Sequence, residues 1–107
     1  MDETLRSPGG GIRVKTTERG LPTALDLAES ELARQPMDLA NEILALCRLS
    51  GMRLQVARRN ALIRAGAGTG VIRTLNLATP EEMQRFRSES FGADEPDDEA
   101  ETWLEQR

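Results

Sequence analysis

Arginine is the residue type in this sequence that most clearly indicates a function, namely the binding of negative charge. Six arginines lie in one stretch that contains no acidic residue. Between Glu42 and Glu81 there is no Asp or Glu, whereas residues 92–107 hold seven acids against one base. An acid-free helical stretch presents a positive surface to a polyanion or to an acidic protein. The sequence therefore predicts a binding function. The predicted binding residues are Arg48, Arg53, Arg58, Arg59 and Arg64.

Catalytic and metal-binding chemistry lack their usual side chains. The chain has no His, and Cys47 is its single cysteine. This excludes His-based acid–base catalysis, an intrachain disulfide and a Cys/His zinc cluster. Ser50 and Ser88 have no His to activate them. Cys47 follows a helical pattern, in which a buried apolar role is expected. We therefore expect no enzyme activity, no catalytic or metal site and no cofactor.

The elements that must position the arginines begin with a predicted β-hairpin. Residues 12–17 alternate apolar and polar side chains, residues 18–20 supply a turn, and residues 21–27 are extended again. Pro22 cannot donate to a ladder, so we expect the second strand to be an edge that could pair with another chain. Residues 1–11 are predicted to be a flexible leader.

Two helices are predicted after the hairpin. Pro36 suits the first position of a long helix that ends near Ala65, before a Gly-rich run. Thr79 and Glu82 match a capping box at the start of a shorter helix. The fold class is therefore α+β, with an N-terminal antiparallel β-hairpin packed on a long α-helix and a shorter C-terminal helix.

The long helix carries two apolar stripes. The first is expected to cover the hairpin and contains Leu39, Ile43, Leu46, Cys47, Ser50, Leu54, Ala57 and Ala61. The second lies about a third of a turn away and contains Leu49, Met52, Val56 and Ile63. Either residues 71–77 and the last helix fold back over the second stripe, or this stripe is the interface of a homodimer. A small core favours both solutions.

The arginines do not form a single line on this helix. Arg53 and Arg64 flank the first stripe, whereas Arg58 and Arg59 point away from it. A solvated helix face would explain the scatter, and a binding surface would explain the missing acids at i±4. Both interpretations stay open.

The foldable domain is predicted to be residues 12–91, and residues 92–107 are predicted to be a disordered acidic tail. Within the tail, Trp103 and Leu104 form an apolar pair. They belong either to a solubilising segment or to a short docking motif. The acids of the tail could also compete in cis for the arginines of the helix.

The run from Gly11 to Leu27, followed by residues 39–44, resembles the YbaB/EbfC family of small dimeric bacterial nucleoid-associated proteins. Farther along, residues 73–82 and Phe91 look like the C-terminal segment of the EspD and EspH group, which are secretion-associated proteins of mycobacterial type VII systems. The resemblance implies a YbaB-like hairpin–helix body that forms a homodimer. The chain lacks Tyr, and Leu104 follows Trp103, so it does not carry the export signals usual in type VII substrates.

Two functions follow from the residues and the resemblance. The first is a non-enzymatic cytoplasmic adaptor or chaperone-like accessory protein of an actinobacterial type VII secretion pathway, which binds a protein partner such as a secretion substrate. The alternative is a YbaB/EbfC-like nucleoid-associated DNA-binding protein, whose arginines contact phosphates weakly. No membrane span is expected, because the longest apolar run covers only residues 43–47.

Overall fold

The computed structural model describes residues 4–92 and 96–99 and confirms the α+β class. Its strands form one antiparallel sheet in the order β3-β2-β1-β4. The elements are β1 (Thr4–Arg6), β2 (Ile12–Thr16), β3 (Pro22–Leu27), a 3₁₀ helix (Glu29–Ala33), α1 (Pro36–Arg64), α2 (Thr69–Leu75), α3 (Pro80–Phe91) and β4 (Asp97–Glu99).

The core lies between one face of the sheet and α1. Along β2, Ile12, Val14 and Thr16 are buried, whereas the two basic residues between them are partly exposed. Successive strand residues point to opposite faces, so this alternation identifies the face that α1 covers. The buried core consists of Leu5, Ile12, Val14, Leu46, Cys47 and Leu49, and Met83, Phe86 and Phe91 of α3 pack against it.

The prediction of a flexible leader is wrong for residues 4–11. Thr4–Arg6 form β1, and Leu5 is part of the core. The Gly-rich run that follows is the hairpin loop between β1 and β2. In this loop the Ser7 N–H donates to the Ile12 carbonyl at 2.8 Å, and the Gly10 N–H donates to the Ser7 carbonyl at 2.9 Å. A loop of five residues with Pro and Gly is a hairpin signal, but the three-residue strand before it was too short to recognise.

The prediction of a disordered tail is wrong for Asp97–Glu99, which form β4. β4 pairs with β1 in antiparallel register, and Asp97 stands opposite Arg6. Arg6 in turn stands opposite Arg13, which forms an ion pair with Asp26 at 3.7 Å. Trp103 and Leu104 lie outside the described residues.

The turn between β2 and β3 contacts the backbone of α1 at Gly51. A Cβ on Gly51 would lie 2.7 Å from the Gly20 nitrogen and 2.9 Å from the Glu18 carbonyl oxygen. Gly20 itself has a φ of +81°, and a Cβ there would lie 3.2 Å from the Cys47 carbonyl oxygen. Glycine at both positions therefore permits the close approach of turn and helix.

A buried hydrogen bond explains the serine in the first apolar stripe. The Thr16 hydroxyl donates to the Ser50 hydroxyl oxygen at 2.8 Å, and both residues are buried. Each polar side chain therefore has a partner, which removes the main cost of burying it. The pair connects β2 to α1 one residue before the Gly51 contact.

Much of the second stripe is buried within the chain itself. Leu49 is fully buried and belongs to the core, and Val56 is 9% exposed. Phe86 of α3 packs on that core, and Ile72 of α2 is buried as well. The chain therefore folds back over the stripe at Leu49, and the prediction that Leu49 lies at a dimer interface is wrong. Met52 is partly buried, and Ile63 remains 52% exposed.

We predict opposite effects of two glycine-to-alanine substitutions in helices. Gly51→Ala should lower the free energy of unfolding by about 1–3 kcal/mol, because the new methyl group overlaps the hairpin turn. Gly70→Ala in α2 places its methyl group in open space and should raise that free energy by about 0.5–1 kcal/mol through helix propensity. Urea denaturation measures both changes. A stabilising Gly51→Ala substitution would show that the turn does not rest on α1.

Two truncations isolate the contribution of β4. A chain of residues 1–92 lacks β4, whereas a chain of residues 1–99 retains it. We expect the shorter chain to be less stable by about 1–3 kcal/mol, because three cross-strand pairs are lost. Equal unfolding midpoints for the two chains would rule out a contribution from β4.

Candidate protein-binding surface

α1 is longer than the sheet that it covers. Its 29 residues span about 43 Å, whereas the six residues of β3 span about 20 Å. The first half of α1 covers β1 and β2, and Leu46, Cys47 and Ser50 of the first stripe are buried there. The second half passes the β2–β3 turn and extends beyond the sheet.

The first stripe is therefore left partly uncovered in the second half of α1. Leu54 is partly buried, and Ala57 and Ala61 are exposed. The prediction that the whole stripe covers the hairpin is confirmed for Leu46, Cys47 and Ser50 but is wrong for Ala57 and Ala61. The reason is that β2 ends at Thr16, so none of the strands that the structure describes lies beneath these later helix residues.

These uncovered residues line a groove against the hairpin turn. We call it the turn groove, and its residues are Thr16, Thr17, Glu18, Leu54, Ala57, Arg58 and Ala61. Its volume is about 380 Å³, which lies at the lower end of the range for ligand pockets, about 300–1,000 Å³. The groove can therefore accommodate one or two large side chains of a binding partner.

Arg58 places a positive charge at the edge of the turn groove. Its Nη1 atom lies 3.1 Å from the Oε1 atom of Glu18, and both side chains are more than a third exposed. An exposed ion pair of this kind contributes only about 0–1 kcal/mol. A carboxylate of a partner could therefore replace Glu18 at little cost.

Arg53 and Arg64 share a helix face with the exposed alanines. Arg53, Ala57 and Arg64 are spaced at i, i+4 and i+11, which brings them within about 40° around the helix axis. Arg53 is partly buried and Arg64 is exposed. Together with Arg58, they make the projecting half of α1 both basic and apolar.

Arg48 and Arg59 belong to a different side of the helix. The Arg48 guanidinium lies 4.7 Å from the centroid of the Phe86 ring, a cation–π contact worth about 0.5–1 kcal/mol. Arg48 thus attaches α3 to α1. Arg59 also faces α3: hydrogen bonds from the Thr79 backbone N–H and hydroxyl lower the pKa of Glu82, and the charges of Arg85 and Arg59 add to this effect. The five predicted arginines therefore do not form one surface.

Gln55 is an important residue that the sequence did not reveal. Its Nε2 atom donates to the Glu18 carbonyl at 2.7 Å, and its Oε1 atom accepts from the Ala78 N–H at 2.8 Å. Gln55 therefore connects the hairpin turn and the segment before α3 to the same turn of α1. Both partners lie far away in sequence, at 37 and 23 residues, so no local pattern could have predicted them.

The side chains that could support other chemistry are few in the part of the chain that the structure describes. Burial raises the pKa of the Cys47 thiol, which keeps it protonated and unreactive at neutral pH. Within residues 4–92 and 96–99, no three His, Cys, Asp or Glu side chains come together as a possible metal site. No helix in these ranges is long and apolar enough to cross a membrane.

The homodimer stays a prediction. A substitution that tests it must avoid residues that are already buried within one protomer. Val56→Glu would place a carboxylate in a buried position and unfold the chain, so Ile63→Glu is the better variant. We expect Ile63→Glu to produce monomers in analytical ultracentrifugation, whereas Leu44→Glu, at a site 67% exposed, should leave the dimer intact. A wild-type chain that sediments as a monomer would contradict the prediction.

The comparisons with known proteins leave the family relationship as a prediction. A scan against protein-family models, a search of curated proteins and a search of solved structures returned no match.

Proposed function

We propose that this protein is a non-enzymatic adaptor that binds an acidic segment of a protein partner on the projecting half of α1. The observation that carries this proposal is the turn groove, in which exposed apolar helix residues lie beside arginines. The resemblance to the EspD and EspH group makes a substrate or component of a type VII secretion pathway the first partner class to test.

The apolar residues of the surface favour a protein partner. Leu54, Ala57 and Ala61 line the groove, and Arg58 lies at its edge. A peptide with both acidic and apolar side chains can complement both features, since protein interfaces combine an apolar centre with a polar rim. A phosphate backbone would complement only the arginines.

The scattered arginines give less support to the alternative of a DNA-binding protein. Affinity for DNA grows with the number of phosphates that cations neutralise. Arg48 contacts Phe86, and Arg59 lies on the same side of α1 as Arg48, away from Arg53 and Arg64. Few of the arginines on α1 can therefore face one duplex, and DNA binding should be weak and reduced by salt.

Two defined probes distinguish these functions. The chain of residues 1–99 would be titrated with a fluorescent peptide of alternating Glu and Leu and, separately, with a short DNA duplex. We expect Ala57→Glu to weaken peptide binding about tenfold, equivalent to about 1.4 kcal/mol, because it places a carboxylate among the groove residues. The matched control is Ala40→Glu, which changes another exposed alanine of α1 and should have no effect.

Two results would contradict the adaptor proposal. One is tighter binding of the duplex than of the peptide, which would favour the nucleoid-associated alternative. The other is equal peptide binding by the Ala57→Glu and Ala40→Glu variants. In the native host, a type VII component that co-purifies with the Ala40→Glu variant but not with the Ala57→Glu variant would identify the partner class.

A further inference from the structure

We infer that the C-terminal segment of this chain is itself a ligand of the turn groove. The segment is Glu101-Thr102-Trp103-Leu104-Glu105, and its apolar anchor would be Trp103. This inference deepens the proposed function, because it supplies an internal competitor for the surface that an external partner would use.

The direction of β4 brings the segment to the correct end of the molecule. β4 runs from Asp97, opposite Arg6, to Glu99, opposite Thr4. β1 is antiparallel to β2, so β4 runs in the same direction as β2. β2 ends at Thr16 and enters the turn that lines the groove. The chain therefore leaves β4 at the groove end of the sheet.

The segment is long enough to reach the groove. β4 and β2 are separated by one strand, which places them about 10 Å apart. Four extended residues span at most about 13–14 Å, so Trp103 can reach the position of Thr16 from Glu99. The residues after it can then lie along Leu54 and Ala57.

The chemistry of the segment matches that of the groove. Trp is enriched among the residues that contribute most to binding at protein interfaces, because its large ring buries much apolar area. Glu101 and Glu105 flank the Trp–Leu pair, and the projecting half of α1 provides the exposed side chains of Arg58 and Arg64. A carboxylate beside a guanidinium forms a charge-assisted hydrogen bond, which is stronger than a neutral one.

The short connection favours binding within one chain over binding between two copies. A short linker gives a local concentration on the order of millimolar, which exceeds the concentration of a second copy in dilute solution. An external partner must therefore compete with the segment. Removing the segment at Glu99 leaves β4 in place and opens the groove.

The intrinsic fluorescence of the full chain tests this inference directly. Trp103 is the only Trp, and there is no Tyr, so emission excited in the indole band comes from Trp103 alone. We expect blue-shifted emission and an acrylamide quenching constant about half that of a free peptide of residues 100–107, since the groove covers part of the ring. Ala57→Glu and Ala61→Glu should raise the quenching constant to the value of the free peptide.

The controls separate groove binding from unfolding and from association. Ala57 and Ala61 are exposed, so their substitution should preserve the helical circular dichroism, and Ala40→Glu should preserve the wild-type fluorescence. If the emission maximum does not change with protein concentration, the segment binds the groove of its own chain. A blue shift that grows with concentration would overturn binding in cis and show that the segment binds the groove of a second copy. Quenching equal to that of the free peptide in the wild-type chain would overturn the inference entirely.

Failure of this inference differs from failure of the proposed function. If Trp103 is fully accessible but the glutamate–leucine peptide still binds in an Ala57-dependent manner, the adaptor proposal stands and the cis ligand is wrong. If Trp103 occupies the groove but residues 1–99 bind no peptide, the cis ligand stands and the adaptor proposal is wrong.

Discussion

The contact of the β2–β3 turn with Gly51 is the constraint on which the rest of the structure depends. Backbone atoms of Gly20 and Glu18 lie where a side chain at residue 51 would otherwise be. The turn can therefore approach the helix backbone, and the Thr16–Ser50 hydrogen bond and the two bonds of Gln55 form around this point. The contact sets how far along α1 the sheet extends.

This constraint divides α1 into two halves with different roles. Before Gly51, the helix buries apolar residues such as Leu46 and Leu49 against the sheet and α3. After Gly51, the same apolar pattern continues past the end of the described strands, and Ala57 and Ala61 are exposed. The first apolar stripe of α1 is thus buried where the sheet covers it and exposed beyond the end of the sheet. An exposed apolar surface beside arginines is suited to binding.

The arrangement of charge also depends on the sheet. The sequence alone predicts that the acids after Gly92 form a tail that competes for the arginines of the helix. Asp97 instead stands opposite Arg6, Arg6 stands opposite Arg13, and Arg13 stands opposite Asp26, so an acidic position on each edge strand adjoins the two arginine positions of the inner strands. Part of the acidic composition therefore belongs to an edge strand, which reduces exposure of the β1 edge.

The sequence by itself determined the elements whose signals are local. The β2–β3 hairpin, α1 from Pro36 and the capping box of Thr79 and Glu82 depend on residues a few positions apart, and all three are confirmed. Tertiary structure decided which residues of a stripe are buried. Leu49 and Ala57 both belong to apolar stripes, yet the first is core and the second is exposed, because α3 and the sheet cover only the first. The three-residue strands β1 and β4 also required tertiary structure, since β1 is stabilised by pairing with β2 and β4 by pairing with β1, and neither has a sufficient local preference of its own.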